Sequence, residues 1–508
     1  MRENEDTAAR AAVTAFWTLC AIHLLVWTAV PSLMYSTVPK DTLEVIAWGN
    51  MWLPGYDKHP PLAAWLGAFA TDLFGTVGWP VFLMSQLAIV LCFWAVWSLA
   101  REMMHPWRAF VAVGLLEGVY YYNVGSFTFN PNIVMLPTWA MLTLTTYRAL
   151  RQPNVWRWAH AGLWAGLACL AKYESGLLAV ALLFTLVITR EGRRSLTTPG
   201  PYIGIAVALL IAIPNLVWLA EHDFISLRYA VDDAQVGQTA PRYLPLLFLA
   251  EQVGAVLPAV LLYLVLRRGG WRFDRRNFNH VFVLLTVLGP LTLAVLIGFA
   301  TRAIMIPRWG FPFFSFFGVA LMLFLGAKVR AKPMLGFGAA LVTLNLLLVA
   351  GVYWTIFVQP YRDGRPPYSI TFPARPLAEQ VTEHWRQQFG VPMPYVGGDR
   401  YIISGVAAYS ADRPVPFFDW DDRSNPWLDE RRLHESGAVF VHWLNGNGDS
   451  DLIAGLRRRF PELSGEEVIT LPHQSRAPLQ PESFWVAYLP PAKCAGRIDC
   501  LQTAALTY

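Results

Sequence analysis

The chain has 508 residues, 55% of them hydrophobic and only 15% charged, with a mean hydropathy of +0.38. A soluble domain is about a quarter charged, so the composition excludes an ordinary soluble protein and reads as a multi-pass membrane protein. A net charge of +5 is too mild to argue for nucleic acid, and in a membrane chain Lys and Arg first set orientation.

Apolar segments run in chain order at roughly 13–34, 79–100, 109–123, 131–149, 159–171, 174–189, 202–220, 243–265, 280–300, 308–327 and 335–358. A helix needs about 20 residues to cross the hydrocarbon, fewer where it is broken or paired. The fifth and sixth are short and join as "AGLWAGLACLAKYESGLLAVALLFTLVI". The Lys-Tyr-Glu-Ser interruption predicts a tight hairpin with a polar tip. The expected fold is an α-helical polytopic membrane protein with about eleven transmembrane helices over residues 1–358. Beyond 358 the apolar runs stop, and 359–508 predict a soluble α/β domain with a mixed sheet. Its helices are expected in "PARPLAEQVTEHWRQQFG", "ISGVAAYSA" and "SDLIAGLRRRF", its strands in "PYVGG", "PVPFF", "GAVFVHWL" and "ESFWVAYLPP". "VGGDRYIISG" fails the dinucleotide spacing, so no nucleotide chemistry is assigned.

With the N-terminus inside, Arg2, Arg10 and the loops around 101–108, 148–157, 190–194, 267–276 and 328–332 hold 18 Lys or Arg residues. The opposite loops hold seven: Lys40, Lys58, Lys172, Arg228, Arg242, Arg302 and Arg308. That bias places 359–508 outside the cytoplasm, in an inner (plasma) membrane protein. The first span lacks a following cleavage site and is expected to stay as an anchor. Cys20, Cys92 and Cys169 read as inert packing. For Cys494 and Cys500 in the outer tail, a disulfide and two free thiols are both open.

This topology sorts the polar groups to one side. Asp41, Glu44, Asp57, Lys58 and His59 fall in the first outer loop, 35–78. Lys172, Tyr173 and Glu174 fall at the hairpin tip, and "FTFNPN" puts Asn132 at the outer end of a span. His222, Arg302 and Arg308 come out on the same side. Charges near a bilayer are costly, and those that persist usually have a function. The loop predicts two interfacial helices, with "DTLEVIAWGNMWL" bringing Asp41, Glu44, Trp48 and Trp52 near one face. Asp41 and Glu44 could merely cap and solvate an interfacial helix, a reading that the cations on the same face weaken; Lys58 also reads as a snorkelling side chain, and His59 as structural. Lys172 interrupts an apolar stretch where cations are scarce, which suits anion binding as well as snorkelling. Several outward cations together suggest a lipid phosphate.

The loop "DTLEVIAWGNMWLPGYDKHPPLAAWL" resembles the first-loop signature of the GT-C membrane glycosyltransferases, in the branch of protein O-mannosyltransferases and the aminoarabinose transferase acting on lipid A. "FNPNIVMLPTWAMLTLTTYRAL", "GLWAGLACLAKYESGLL" and "PNLVWLAEHDFISLRY" are similar to later motifs of that family, in order, over about residues 13–320. The resemblance implies a GT-C-like fold and transfer of a sugar from a polyprenyl-phosphate carrier to an envelope acceptor on the outer side. It implies Asp41 as general base, with Glu44 a second carboxylate because the family's Asp-Glu pair is Asp41-Thr42 here. Lys58, His59 and Lys172 would hold the phosphate, Arg302 and Arg308 more weakly, with Asp57, Tyr173, Asn132 and His222 in the matching motifs. Asn132 stands where the family usually has Asp. No cofactor is assigned, and the resemblance leaves a divalent metal open, with His59 as a ligand. The rival classes are a transporter or lipid flippase, which predicts paired halves with matching interruptions, and an adaptor presenting its soluble domain to a partner.

Overall fold

The computed structural model describes residues 2–234, 241, 243–266, 269–327, 329–366, 369–444 and 449–492. Arg242, Cys494 and Cys500 lie outside the described residues. Among the described residues six helices are long and apolar enough to cross a membrane: Asp6–Met34, Trp79–Met103, Gly200–Glu221, Leu244–Val265, Phe278–Thr301 and Ala331–Asp363. Tyr173–Ile188 and Arg190–Leu196 make a seventh if that pair, bent by 95°, is one span.

The remaining apolar segments take other forms. Pro131–Arg151 is a helix buried at every position except Arg148 and Arg151, which is how a core helix behaves. Segment 109–123 becomes a helix, Pro106–Gly114, followed by three 3-10 turns through the Tyr-Tyr-Tyr-Asn stretch. Segment 308–327 yields the end of a 3-10 turn, Pro307–Gly310, and the eight-residue α-helix Phe317–Phe324. Helix length alone therefore does not give eleven crossings.

The chain divides into two compact units. The first comprises Met1–Pro31, Pro54–Ala63 and Phe82–Gly351. In it the helix Val155–Ala171 stops at Lys172, and Gly176–Ile188 resumes after one 3-10 turn. The two arms do not make the expected tight hairpin. Val155–Ala171 packs on Pro131–Arg151 and Gly200–Glu221, whereas Gly176–Ile188 packs on Phe278–Thr301. The contact with Gly200–Glu221 is close enough that a Cβ on Gly162 would strike the Gly204 carbonyl oxygen. Small residues at that crossing let the two backbones approach.

The second unit comprises Ser32–Leu53, Ala64–Val81 and Val352–Tyr508. Among its described residues there are five strands, β1 (Tyr395–Gly398), β2 (Val415–Phe418), β3 (Ala438–Trp443), β4 (Ser464–Leu471) and β5 (Glu482–Leu489). They form one mixed sheet in the order β2-β1-β3-β5-β4, with β1 parallel to β2 and β3, and β5 antiparallel to β3 and β4. Phe417, Phe440, Phe460 and Trp485 are buried in its core. The three expected helices appear as Ala374–Phe389, Arg400–Tyr409 and Asp449–Arg459. Within this unit the first-loop helix Lys40–Gly49 packs on Arg400–Tyr409. The Thr37 hydroxyl donates to the Phe372 carbonyl at 2.6 Å, and the Val38 N–H donates to the Tyr409 hydroxyl at 3.0 Å. The helix ends before Trp52, whose φ of +51° takes it out of helical register. The expected shared face therefore stops at Trp48.

A buried histidine ties the sheet to the helix that follows β1. His442 on β3 lies 3.0 Å from Asp399 through Nδ1 and 3.0 Å from Asp449 through Nε2. Its bond to Asp399 raises its pKa above the ordinary histidine value, against the opposing effect of burial, with Asp449 adding to the rise. Burial pushes the Asp399 carboxyl up, but the bonds from His442 and the Trp443 N–H outweigh it and hold the group below its usual range. A histidine pKa raised on folding stabilises fully below its unfolded value and loses that contribution as pH rises through the folded value. His442→Gln should therefore destabilise most near pH 5.5 and less near pH 9. Thermal melts of both proteins in detergent at the two pH values check this; a gap that widens with pH would contradict it.

Candidate functional site

Polar side chains gather in the first unit where its helices end. Lys172 caps the helix Val155–Ala171 with extended backbone, so its side chain leaves the helical column. Its Nζ donates to Asn132 Oδ1 at 2.7 Å and pairs with Glu174 Oε2 at 2.7 Å. The two partners in the ion pair are only 11% and 14% exposed. Lys172 is thus not an exposed cation waiting for an anion. It is a largely desolvated ammonium neutralised by one carboxylate, and among the described residues its third N–H has no acceptor. Asn132 sits in the first turn of Pro131–Arg151, where the Asn130 side chain accepts from the Asn132 and Ile133 N–H groups. That cap fixes the turn. An amide at 132 accepts from Lys172 without adding charge.

The loop segment 54–59 joins the same unit. The Tyr173 hydroxyl donates to Asn215 Oδ1 at 3.0 Å, and Asn215 Nδ2 donates to the Pro54 carbonyl at 2.8 Å. The Ser226 hydroxyl donates to the Tyr56 carbonyl at 2.5 Å. Gly55 lies so close to the Trp218 ring that any Cβ would overlap it. Asp57 is buried, and the Lys58 ammonium lies 5.1 Å from the centroid of the Tyr229 ring, a cation–π distance. His59 is half-buried, and its carbonyl accepts from the Tyr56 N–H to close the turn. The structure therefore gathers Tyr173 with the loop backbone and Lys172 with Asn132. Asn215 and Ser226, which hold the loop in place, were absent from the sequence-based set. The available signal was a lone amide after Pro214 in an otherwise apolar 22-residue helix.

His222 stacks on Trp218 with centroids 4.3 Å apart, and its Nδ1 bonds the Trp218 carbonyl at 2.7 Å, so it closes the end of its own helix. Arg302 and Arg308 are exposed. Arg302 ends the helix Phe278–Thr301 in a left-handed conformation. Among the described residues no group of three His, Cys, Asp or Glu side chains is arranged to hold a metal ion.

Asp41 and Glu44 belong to the second unit. Asp41 lies half-buried in the first turn of Lys40–Gly49, where the helix dipole favours a carboxylate. Glu44 is largely buried and pairs with Arg400 at 2.8 Å. Arg400 also binds Asp419 at 2.9 Å and lies 4.3 Å over the Phe418 ring. Glu44 is therefore committed to tying the first-loop helix to the sheet unit, which weighs against a free second carboxylate in the chemistry.

A family model described as dolichyl-phosphate-mannose-protein mannosyltransferase matches residues 58–218. The undecaprenyl phosphate-alpha-4-amino-4-deoxy-L-arabinose arabinosyl transferase 1 of Pseudomonas fluorescens is 28% identical over 280 residues, 51% of this chain and 49% of its own. Lipid A galacturonosyltransferase RgtD of Rhizobium johnstonii is 26% identical over 265 residues, 50% of this chain and 54% of its own. Lipopolysaccharide core galacturonosyltransferase RgtA of the same organism is 23% identical over 419 residues, 79% of this chain and 81% of its own. The chain spans about half the length of the first two. Among solved structures, ArnT from Cupriavidus metallidurans bound to undecaprenyl phosphate is similar with a TM-score of 0.60 at 15% identity, covering 96% of this chain and 99% of that one. At that identity the likeness establishes the fold.

Proposed function

We propose that the chain, whose fold matches that of ArnT from Cupriavidus metallidurans, is an integral membrane glycosyltransferase of the GT-C type, in the protein O-mannosyltransferase and lipid A aminoarabinose transferase branch. It moves a sugar from a polyprenyl-phosphate carrier to an envelope acceptor on the periplasmic side. The observation that carries this reading is the Asn132–Lys172–Glu174 cluster, inside the stretch that the family model matches. A desolvated ammonium with one N–H uncommitted suits a lipid phosphate better than it suits bulk water.

Asp41 acts as general base, taking the proton from an acceptor hydroxyl as its oxygen attacks the anomeric carbon. The bond from that carbon to the carrier phosphate breaks, and the phosphate leaves with the electron pair. One displacement inverts the stereochemistry. Lys172, with Lys58 and His59, stabilises the charge on the departing phosphate. Asp57, Tyr173 and Asn132 shape that subsite, and His222, Arg302 and Arg308 have lesser parts. The acceptor is a lipid or glycan before a protein, a preference supported by relatives named for lipid A and lipopolysaccharide. A deletion strain should lose one sugar from its envelope glycolipids, read as a mass difference from wild type. An unchanged glycolipid and glycoprotein profile under expressing conditions would sink the assignment.

The protein spans the inner membrane with a cytoplasmic N-terminus, eleven crossings, and residues 359–508 as a periplasmic α/β domain. The support is the 18-to-7 division of Lys and Arg between alternate loops. A phosphatase reporter fused after Tyr508 should be active and a cytoplasm-only reporter silent; the reverse pattern would invert the topology.

A further inference from the structure

A cavity of about 320 Å³ opens within the second unit. It lies at the C-terminal end of the helix Lys40–Gly49, lined there by Ile46 and Asn50, whereas Asp41 and Glu44 are at the N-terminal end. Its volume is at the lower end of small-ligand clefts, roughly 300–1,000 Å³. Two guanidinium groups, Arg375 and Arg413, line it, and among the described residues no carboxylate does. Asp72 pairs with Arg413, which leaves the Arg375 charge without a carboxylate in the lining.

Arg375 is placed to bind rather than merely to neutralise. Its Nη2 donates to the Val77 carbonyl at 2.9 Å, and its guanidinium lies 4.6 Å from the centroid of the Tyr409 ring. One face and one N–H hold the group still, and among the described residues its other N–H groups have no acceptor. A guanidinium fixed in this way offers a planar edge to a carboxylate or phosphate. Around it stand neutral groups of the kind that bind sugar hydroxyls. Asn50 donates to the Ala407 carbonyl at 2.9 Å and keeps its amide oxygen for a donor. The Thr71 hydroxyl donates to its own helix and retains its lone pairs. Ile46 and Ala408 add apolar wall against which the C–H face of a ring can lie.

We propose that this cavity binds an anionic saccharide, a sugar ring bearing a phosphate or carboxylate, with Arg375 taking the anion and Arg413 as the second cation. The site stands independently of the transferase reading. Full-length protein in detergent, titrated calorimetrically with glucose 6-phosphate and with glucose, tests it. Glucose 6-phosphate should bind saturably and weaken with added salt, while glucose binds at least roughly tenfold more weakly. Arg375→Gln should cost roughly ten- to a hundredfold in affinity. Thr76→Trp, which fills the half-exposed rim and leaves both guanidinium groups in place, should abolish binding without lowering the melting temperature. This second variant decides the matter if Arg375→Gln fails to fold. The double variant Lys172→Met with Glu174→Gln should leave the isotherm unchanged. No saturable binding, equal binding of glucose, or an isotherm indifferent to Thr76→Trp would overturn the proposal. Loss of binding in the Lys172 double variant with Arg375→Gln unaffected would also overturn it, by assigning the phosphate to the donor subsite.

Discussion

Asp41→Asn should lower turnover by about a hundred- to ten-thousandfold while leaving donor affinity nearly intact. A sugar hydroxyl is a poor nucleophile at neutral pH, and that range is what a positioned general base typically contributes. The substitution keeps size and most hydrogen bonding at the start of Lys40–Gly49 and removes the proton acceptor. Glu44→Gln is the informative comparison. Glu44 is engaged with Arg400, so its loss should show first as a lower melting temperature and only secondarily as a lower rate. Transfer measured with purified protein at saturating donor, alongside melts of both variants, separates the two carboxylates. A Glu44→Gln protein that melts like wild type yet transfers no sugar would exchange their roles.

Lys172→Met alone should destabilise the protein by about 3–5 kcal/mol, because it strands Glu174 as an unpaired, largely buried carboxylate. Removing both partners is a different experiment. Lys172→Met with Glu174→Gln eliminates both charges together, so most of the lost stability should return. The stabilised double variant should still require much more donor to reach half-rate, because the ammonium that meets the phosphate is gone. Thermal melts and donor titrations of the wild type, the single and the double variant check this. Recovery of stability together with normal donor dependence would make the pair purely structural.

How much of this was legible in the sequence depends on the range of each interaction. Strand β3 was readable from "GAVFVHWL" because a central strand buried on both faces is a continuous apolar run. Strand β4 was missed because "SGEEVITL" is an exposed edge strand with an irregularity between Ser464 and Glu467, which breaks the period-two signal. Lys172 announced itself as a charge inside an apolar run. Its acceptor Asn132, forty residues away, did not, since nothing local couples the two positions. The same limit hid the Glu44–Arg400 pair. Glu44 looked like a spare carboxylate beside Asp41 because its partner lies 356 residues downstream. The arms on either side of Lys172 looked like a hairpin because adjacency in sequence was the only available guide. The partners they take, Gly200–Glu221 for one and Phe278–Thr301 for the other, are set by packing. Trp52 misled for a smaller reason: helical spacing continued past the point where the backbone turns left-handed at that residue.

The most direct test of the account is release of free polyprenyl phosphate. Purified full-length protein in detergent would be incubated with polyprenyl-phosphate-linked sugars extracted from the native membrane and with lipopolysaccharide from the deletion strain. Mass spectrometry would follow the carrier and the acceptor together. The account predicts that wild type converts one linked sugar to free polyprenyl phosphate while the acceptor gains that sugar's mass, and that Asp41→Asn does neither at a comparable rate. Carrier and acceptor both unchanged with wild type, or equal conversion by Asp41→Asn, would contradict it.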